Sequence, residues 1–180
     1  MAAEAASRGL VSRMSRALLL DVSLFEEVES DKSASGQAFI VVIAASVIAG
    51  LGSVAAGGIA GLIAAILLSI SSWAIWAWLN YFIGTKLLAE PQTEANWGQL
   101  ARCMGFAYSP RLFLLLALIP FAPLQVFVSL AVVLWLGAAM VVAVRQALDY
   151  HSTLRAAAVT VVGFLVNALA VLVLAVILGQ

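Results

Sequence analysis

The stretch TEANWGQLARCMGFAYSP, residues 93–110, is the long polar-to-amphipathic segment between two blocks of nearly pure hydrocarbon. Trp97, Phe106 and Tyr108 are the aromatic types that gather at a membrane–water interface. Arg102 lies between them, and Pro110 marks where the chain turns into the bilayer. Outward from this stretch charge vanishes on both sides. Residues 33–85 and 112–144 contain no Lys, Arg, Asp or Glu.

Composition agrees with a membrane chain. The 180 residues are 64% hydrophobic and 10% charged, with mean hydropathy +1.12. A soluble domain carries about 25% charged residues, so this chain lacks the polar surface to cover a core in water. The formal charge is zero, which gives no electrostatic basis for binding nucleic acid. Cys103 and His151 each stand alone, which rules out an intrachain disulfide, a Cys-based metal site and HExxH. No metal or cofactor is expected.

The start does not read as a signal peptide. The apolar run Ala17–Leu20 is short and Asp21 ends it, so an uncleaved start is expected. Arg8, Arg13 and Arg16 among serines faintly resemble a mitochondrial presequence, against which stands Glu4. From 8 to 29, Leu10, Met14, Leu18, Val22 and Phe25 recur at three- and four-residue steps. The spacing predicts an amphipathic helix, lying either in the lipid interface or on the protein's own loops.

At ~20 residues per span, 33–85 holds two helices. Gly50, Gly52, Gly57, Gly58 and Gly61 place the turn between them, giving spans at about 37–55 and 59–84. Ala45, Ala49 and Ser53, and Gly57 with Gly61, have the small-residue spacing that lets helices approach closely. Trp73 and Trp76 sit deeper, and Trp78, Tyr81 and Phe82 make an interfacial belt near Lys86. Glu90-Pro91 breaks the helix, and Thr93 or Asn96 caps a short helix through Met104.

As one helix, 112–144 would run ~50 Å, too long for a ~30 Å core. Pro120 and Pro123 read as a turn, so spans three and four fall at about 105–122 and 124–145. Arg111 then sits in the first turn of span three and snorkels to the interface, since an arginine at the midplane costs roughly 3 kcal/mol. The competing reading is a re-entrant helix 112–119. Ser152 or Thr153 caps a last span at about 156–178. Asn80 and Asn167 are the intramembrane polar residues, each a binding candidate or an interhelical hydrogen bond.

The fold expected is therefore all-α: residues 1–36 as a cytoplasmic segment with an amphipathic interfacial helix, and 37–180 as an integral membrane five-helix bundle. This threading puts all nine Lys and Arg on one side, so the amino terminus is cytoplasmic and the carboxyl terminus outside.

Three blocks carry a family resemblance: LLLDVSLFEEVESDKSASGQA at 18–38, NWGQLARCMGFAYSPRL at 96–112 and AVRQALDYHSTLRA at 143–156. Over about Arg16 to Val161 the chain resembles the bacterial branch of the Yip1-domain membrane proteins. The resemblance implies a five-helix bundle with a cytoplasmic amino terminus in a bacterial inner membrane. Eukaryotic relatives are linked to vesicle traffic and Rab-type GTPases, but their long cytosolic amino-terminal domain has no counterpart here. For the bacterial branch the resemblance implies a fold, not a mechanism.

Three functions are weighed. The first is a non-enzymatic scaffold, adaptor or accessory subunit with a membrane protein partner or a homo-oligomer. Its face would comprise Phe25, Glu26, Glu27, Asn96, Trp97, Arg102, Arg111, Arg145, Asp149 and Arg155. Arg145 and Asp149 are spaced to pair on a helix, and with Arg102 would form one network. The second is a small-molecule or lipid transporter or channel component, for which the sequence offers no acid or base deep in a span. The third, an intramembrane enzyme, lacks any serine–histidine pair or paired carboxylates in the spans, and no catalysis is expected.

Overall fold

A computed structural model describes residues 9–177. Among them every regular element is helical. The order is α1 Leu10–Leu18, α2 Val22–Ser30, α3 Ala34–Gly50, α4 Val54–Phe82, α5 Trp97–Ala107, α6 Ala122–Ala147 and α7 Thr153–Ile177. Short 3₁₀ or π turns extend α3 (Leu51–Ser53) and α4 (Ile83–Leu87), and a 3₁₀ run Ser109–Leu118 follows α5. Residues 1–8 and 178–180 lie outside the description, so Arg8 and the end of the last expected span are not placed.

The amphipathic segment is two helices rather than one. Leu20 adopts φ 57°, and Asp21 starts α2 by accepting a hydrogen bond from the Ser23 N–H at 3.0 Å. The same carboxylate pairs with Arg16 at 2.8 Å across the bend. A helix running straight through would lose both the cap and this pairing. Leu24, Phe25 and Val28 of α2 are fully buried in the protein core. In α1 Ala17 is buried and Leu10 and Met14 pack against that core, while Val11, and Leu19 just past the helix, are 78% and 80% exposed.

Four helices are long and apolar enough to cross a membrane: 34–53, 57–87, 122–147 and 153–173. Their outward residues are hydrocarbon. Ile59, Ile63, Leu67, Phe127, Leu130, Leu134, Leu165 and Leu169 are all exposed, the arrangement suited to lipid rather than water. Four residues into the α4 range the chain reverses at Gly58, whose φ 58° and ψ −150° belong to glycine alone, so the long continuous part of α4 starts after it.

The third expected span, 105–122, is a different object. Asn96 caps the short helix, one of the two expected caps, in a reciprocal box with Gln99; the helix begins at Trp97 and runs past the expected end at Met104 to Ala107, into the start of the expected third span. Every residue from Leu100 to Ala107 is buried. α5 fits between its neighbours because Gly105 lies against Ala38 of α3; a Cβ there would meet the Ala38 methyl at 2.9 Å. Pro110 has no N–H to return to the Phe106 carbonyl, which instead accepts from Ser109 Oγ at 2.7 Å. The chain tightens into 3₁₀ turns as far as Leu118, an unusually long run of that geometry. At their ordinary rises α5 and this run together span about 35 Å. The bundle is thus four continuous apolar helices around a central broken segment, not five equivalent helices.

Candidate interaction face and a deep arginine

α1 and α2 fold as a cap over one end of the bundle. Arg13, 1% exposed, organises it. Its guanidinium donates to Glu27 at 2.8 and 2.9 Å, to Asp31 at 2.6 Å and to Gln37 of α3 at 3.1 Å. Arg16 bonds the other Glu27 oxygen at 2.5 Å. Burial opposes ionisation of Glu27, but the two arginines outweigh it and hold its carboxyl below the usual range. The Ser33 and Arg13 hydrogen bonds hold Asp31 at about 2.

Later segments tie the cap down. Arg102 of α5, 8% exposed, donates through Nε to the Val28 carbonyl at 2.8 Å and through a second nitrogen to the Glu29 carbonyl. A cation thus terminates α2 where its last carbonyls lack partners. Gln99 donates to Glu29 at 3.0 Å, Gln146 to Glu26 at 3.0 Å, and the Trp135 indole to the Leu18 carbonyl at 2.9 Å. Glu29 is pushed up to about 7, first by burial and then by the Asp149 and Glu26 carboxylates, with Arg102 opposing.

A second cluster joins the 88–96 loop to the α6–α7 connection. Glu90 accepts from the His151 N–H at 2.9 Å and Gln92 at 2.6 Å, with Arg155 at 3.5 Å. The His151 N–H is the main cause of its lowered pKa. Arg155 also donates to the Ala89 carbonyl at 3.0 Å. The Tyr150 hydroxyl lies 2.8 Å from the Gly84 and Leu88 carbonyls, which it donates to. Gln92, Arg145, Gln146, Asp149, Tyr150 and His151 line an open polar cleft of about 520 Å³.

The expected face therefore divides. Phe25 and Arg102 are interior supports, and Asn96 is a helix cap. Glu26 and Trp97 are exposed, Trp97 to 43%. Trp97 borders a mostly apolar cleft of about 270 Å³ with Ala38, Phe39, Trp73 and Ala101. The expected Arg102–Arg145–Asp149 network does not form. α6 ends at Ala147, before the Arg145–Asp149 pair can face on one helix, and Arg145 bonds the Tyr150 and His151 carbonyls at 3.2 and 3.4 Å. Asp149 takes φ 52°.

Arg111 leaves this face altogether. Arg111 lines a cleft with Ala49, Gly50, Ala65, Leu68, Ser69, Ser72 and Val171. Ala49 is about 22 Å along the α3 axis from Ala34. Ala49 and Gly50 lie four and three residues before Ser53, the end of their span, so Arg111 sits towards the end of the bundle opposite the cap and apart from the face expected for it. Asn167 donates to Ser72 Oγ at 2.7 Å, an interhelical bond. Asn80 instead donates within its own helix, to the Trp76 carbonyl at 2.8 Å, and lies against Gly163.

Arg13, Glu90 and Tyr150 were not singled out from the sequence. Arg13 and Glu27 are far apart along the chain, and only the bend at Leu20 brings them together.

Apolar helices, an ion-paired cap at one end and a hydrocarbon exterior define a polytopic helical membrane protein. The sequence matches the Yip1 domain over residues 19–175, and the chain belongs to that family. No curated protein and no solved structure matches it.

Proposed function

We propose that this chain is a non-enzymatic scaffold, adaptor or accessory subunit in the cytoplasmic membrane of a bacterium, of the bacterial Yip1 branch. In this reading it crosses five times, with Trp97–Leu118 as the third crossing, the amino terminus cytoplasmic and the carboxyl terminus outside. The described cations other than Arg111 gather at the capped end, which supports that orientation. The observation that carries the adaptor reading is the rigidity of the cap. Its arginines are committed to Glu27, Asp31, Asp21 and the α2 carbonyls, so the surface bearing Trp97 and Glu26 is formed before any partner arrives. Trp97, half out of the protein beside an apolar cleft, is the kind of anchor that dominates an interface.

The test places a photo-crosslinking residue at 97 in the full chain and irradiates native membranes before purification. One crosslinked protein in stoichiometric amount is expected, lost from the mild-detergent preparation of Trp97→Ala. Recovery with lipid adducts alone would reject the reading. One observation favours the transporter alternative: Arg111, a permanently charged group within the spans. Solute or lipid flux in reconstituted vesicles tests it.

A further inference from the structure

We propose that the Arg111 cleft is a binding site for the oxyanion head of an anionic lipid, entered sideways from the hydrocarbon. The site stands apart from the docking face, at a different depth and on different helices.

The chemistry follows from the lining. Arg111 comes from the 3₁₀ run, Ala49 and Gly50 from α3, Ala65, Leu68, Ser69 and Ser72 from α4, and Val171 from α7. The guanidinium carbon lies 5.0 Å from the Tyr108 ring centroid, a cation–π contact that supplies no negative charge. Arg111 makes no ion pair among the described residues. All the described acidic residues lie at the capped end: in α2 and its flanks, in the 88–96 loop, or at Asp149. A fixed cation in low dielectric therefore faces a cleft to which no side chain brings an anion.

Two serine hydroxyls also line the cleft. Ser69 Oγ accepts from Ser46 at 2.9 Å, and Ser72 Oγ accepts from Asn167 at 2.7 Å. Each hydroxyl retains its own proton to give. Asn167, 5% exposed, is held in place by that bond, and its Oδ1 has no partner. A guanidinium from the 3₁₀ run and two hydroxyls from α4 lining one cleft form a site for phosphate or carboxylate oxygens.

The apolar share of the lining selects the lipid over a free anion. The Ala49 and Gly50 wall is about 22 Å from the start of α3, and Val171 about 27 Å from the start of α7, which sets the cleft near the uncapped end of the bundle, where a lipid head meets its chains. The remaining wall is aliphatic, and Leu68, on its rim, is 45% exposed on the side suited to lipid. The cleft, about 280 Å³, has room for a head group with the first carbons of its chain. An amphiphile covers the aliphatic wall with its tail while its head meets Arg111, whereas a free anion gains only the polar contacts.

The experiment uses the full chain in a neutral detergent, with thermal unfolding and native mass spectrometry as readouts. Phosphatidylglycerol, oleate, phosphatidylcholine and inorganic phosphate are added in turn. Phosphatidylglycerol or oleate is expected to raise the midpoint and stay bound at one per chain; phosphatidylcholine and inorganic phosphate are not. Arg111→Gln should abolish retention, and Ser69→Ala with Ser72→Ala should weaken it about tenfold. Arg145→Gln and Arg155→Gln at the capped end should leave it unchanged. Equal retention by Arg111→Gln and the serine pair overturns the proposal. So does equal binding of phosphatidylcholine, or stabilisation by inorganic phosphate in place of lipid. If Arg111→Gln does not fold, the serine pair, which keeps the arginine, decides.

Discussion

Arg13 and Glu29 are held by opposite physics. Arg13 is a buried cation with its donors directed at two carboxylates and an amide. Arg13→Gln leaves Glu27 and Asp31 without their shared partner, and should lower stability in detergent by about 3 kcal/mol, read from thermal unfolding. Glu29 is a half-buried acid next to other acids, and its folded-state pKa of about 7 lies above its ordinary value of 4.5. The folded protein therefore binds the extra proton. Its contribution is complete below about 4.5 and is lost as pH rises towards and through about 7. Glu29→Gln keeps an acceptor for Gln99 and never ionises. It should match the parent at pH 5 and exceed it at pH 8 by about 1 kcal/mol, a value reduced for solvent screening at a half-exposed site. Asp149→Asn removes one of the repelling carboxylates, so melting curves should vary less with pH between 5 and 8.

At the scale of elements, the central broken segment decides the packing. Gly105 lets α5 rest on Ala38, so Gly105→Val should cost about 2 kcal/mol or more, and Ala38→Gly in the same chain should recover part of it; unfolding midpoints of the single and double variants check this. The continuous helices were legible from hydropathy because lipid imposes a simple rule: a long uncharged run must be a helix. Their turns were legible from Gly58 and from the Pro120–Pro123 pair. The capped start of α5 was legible from Asn96, but its burial was not, because charge-free runs mark hydrocarbon contact and α5 is enclosed by protein from Leu100 to Ala107. Its polar residues, Gln99 and Arg102, are satisfied by α2, so polarity there signals burial against the cap rather than water. The bend at Leu20 was also hidden, since a leucine in a left-handed conformation has no sequence signal. Of the candidate face, exposure of Glu26 and Trp97 followed from residue type, while the separate bonding of Arg102, Arg145 and Arg155 to backbone carbonyls depends on tertiary contacts.

For the whole molecule, orientation is the property that a single experiment reads. Cys103 is buried, so the parent should be silent to a membrane-impermeant maleimide. Gly57→Cys, at an exposed position with open space around it, should label from outside intact cells and not from the cytoplasmic side of inverted vesicles. The reverse pattern would invert the threading. The cap has a further consequence, in the order of synthesis. α1 and α2 are made first, yet they are held by Arg102, Trp135 and Gln146, which are made much later. Until the ribosome has delivered the α6 helix, Leu24, Phe25 and Val28 have no interior to enter, and the amino-terminal segment must wait at the membrane surface. Closure of the cap then reports that the central segment and the following helix have been correctly inserted. A chain arrested before that point would display its three apolar residues to the cell's quality-control machinery, and a finished one would not.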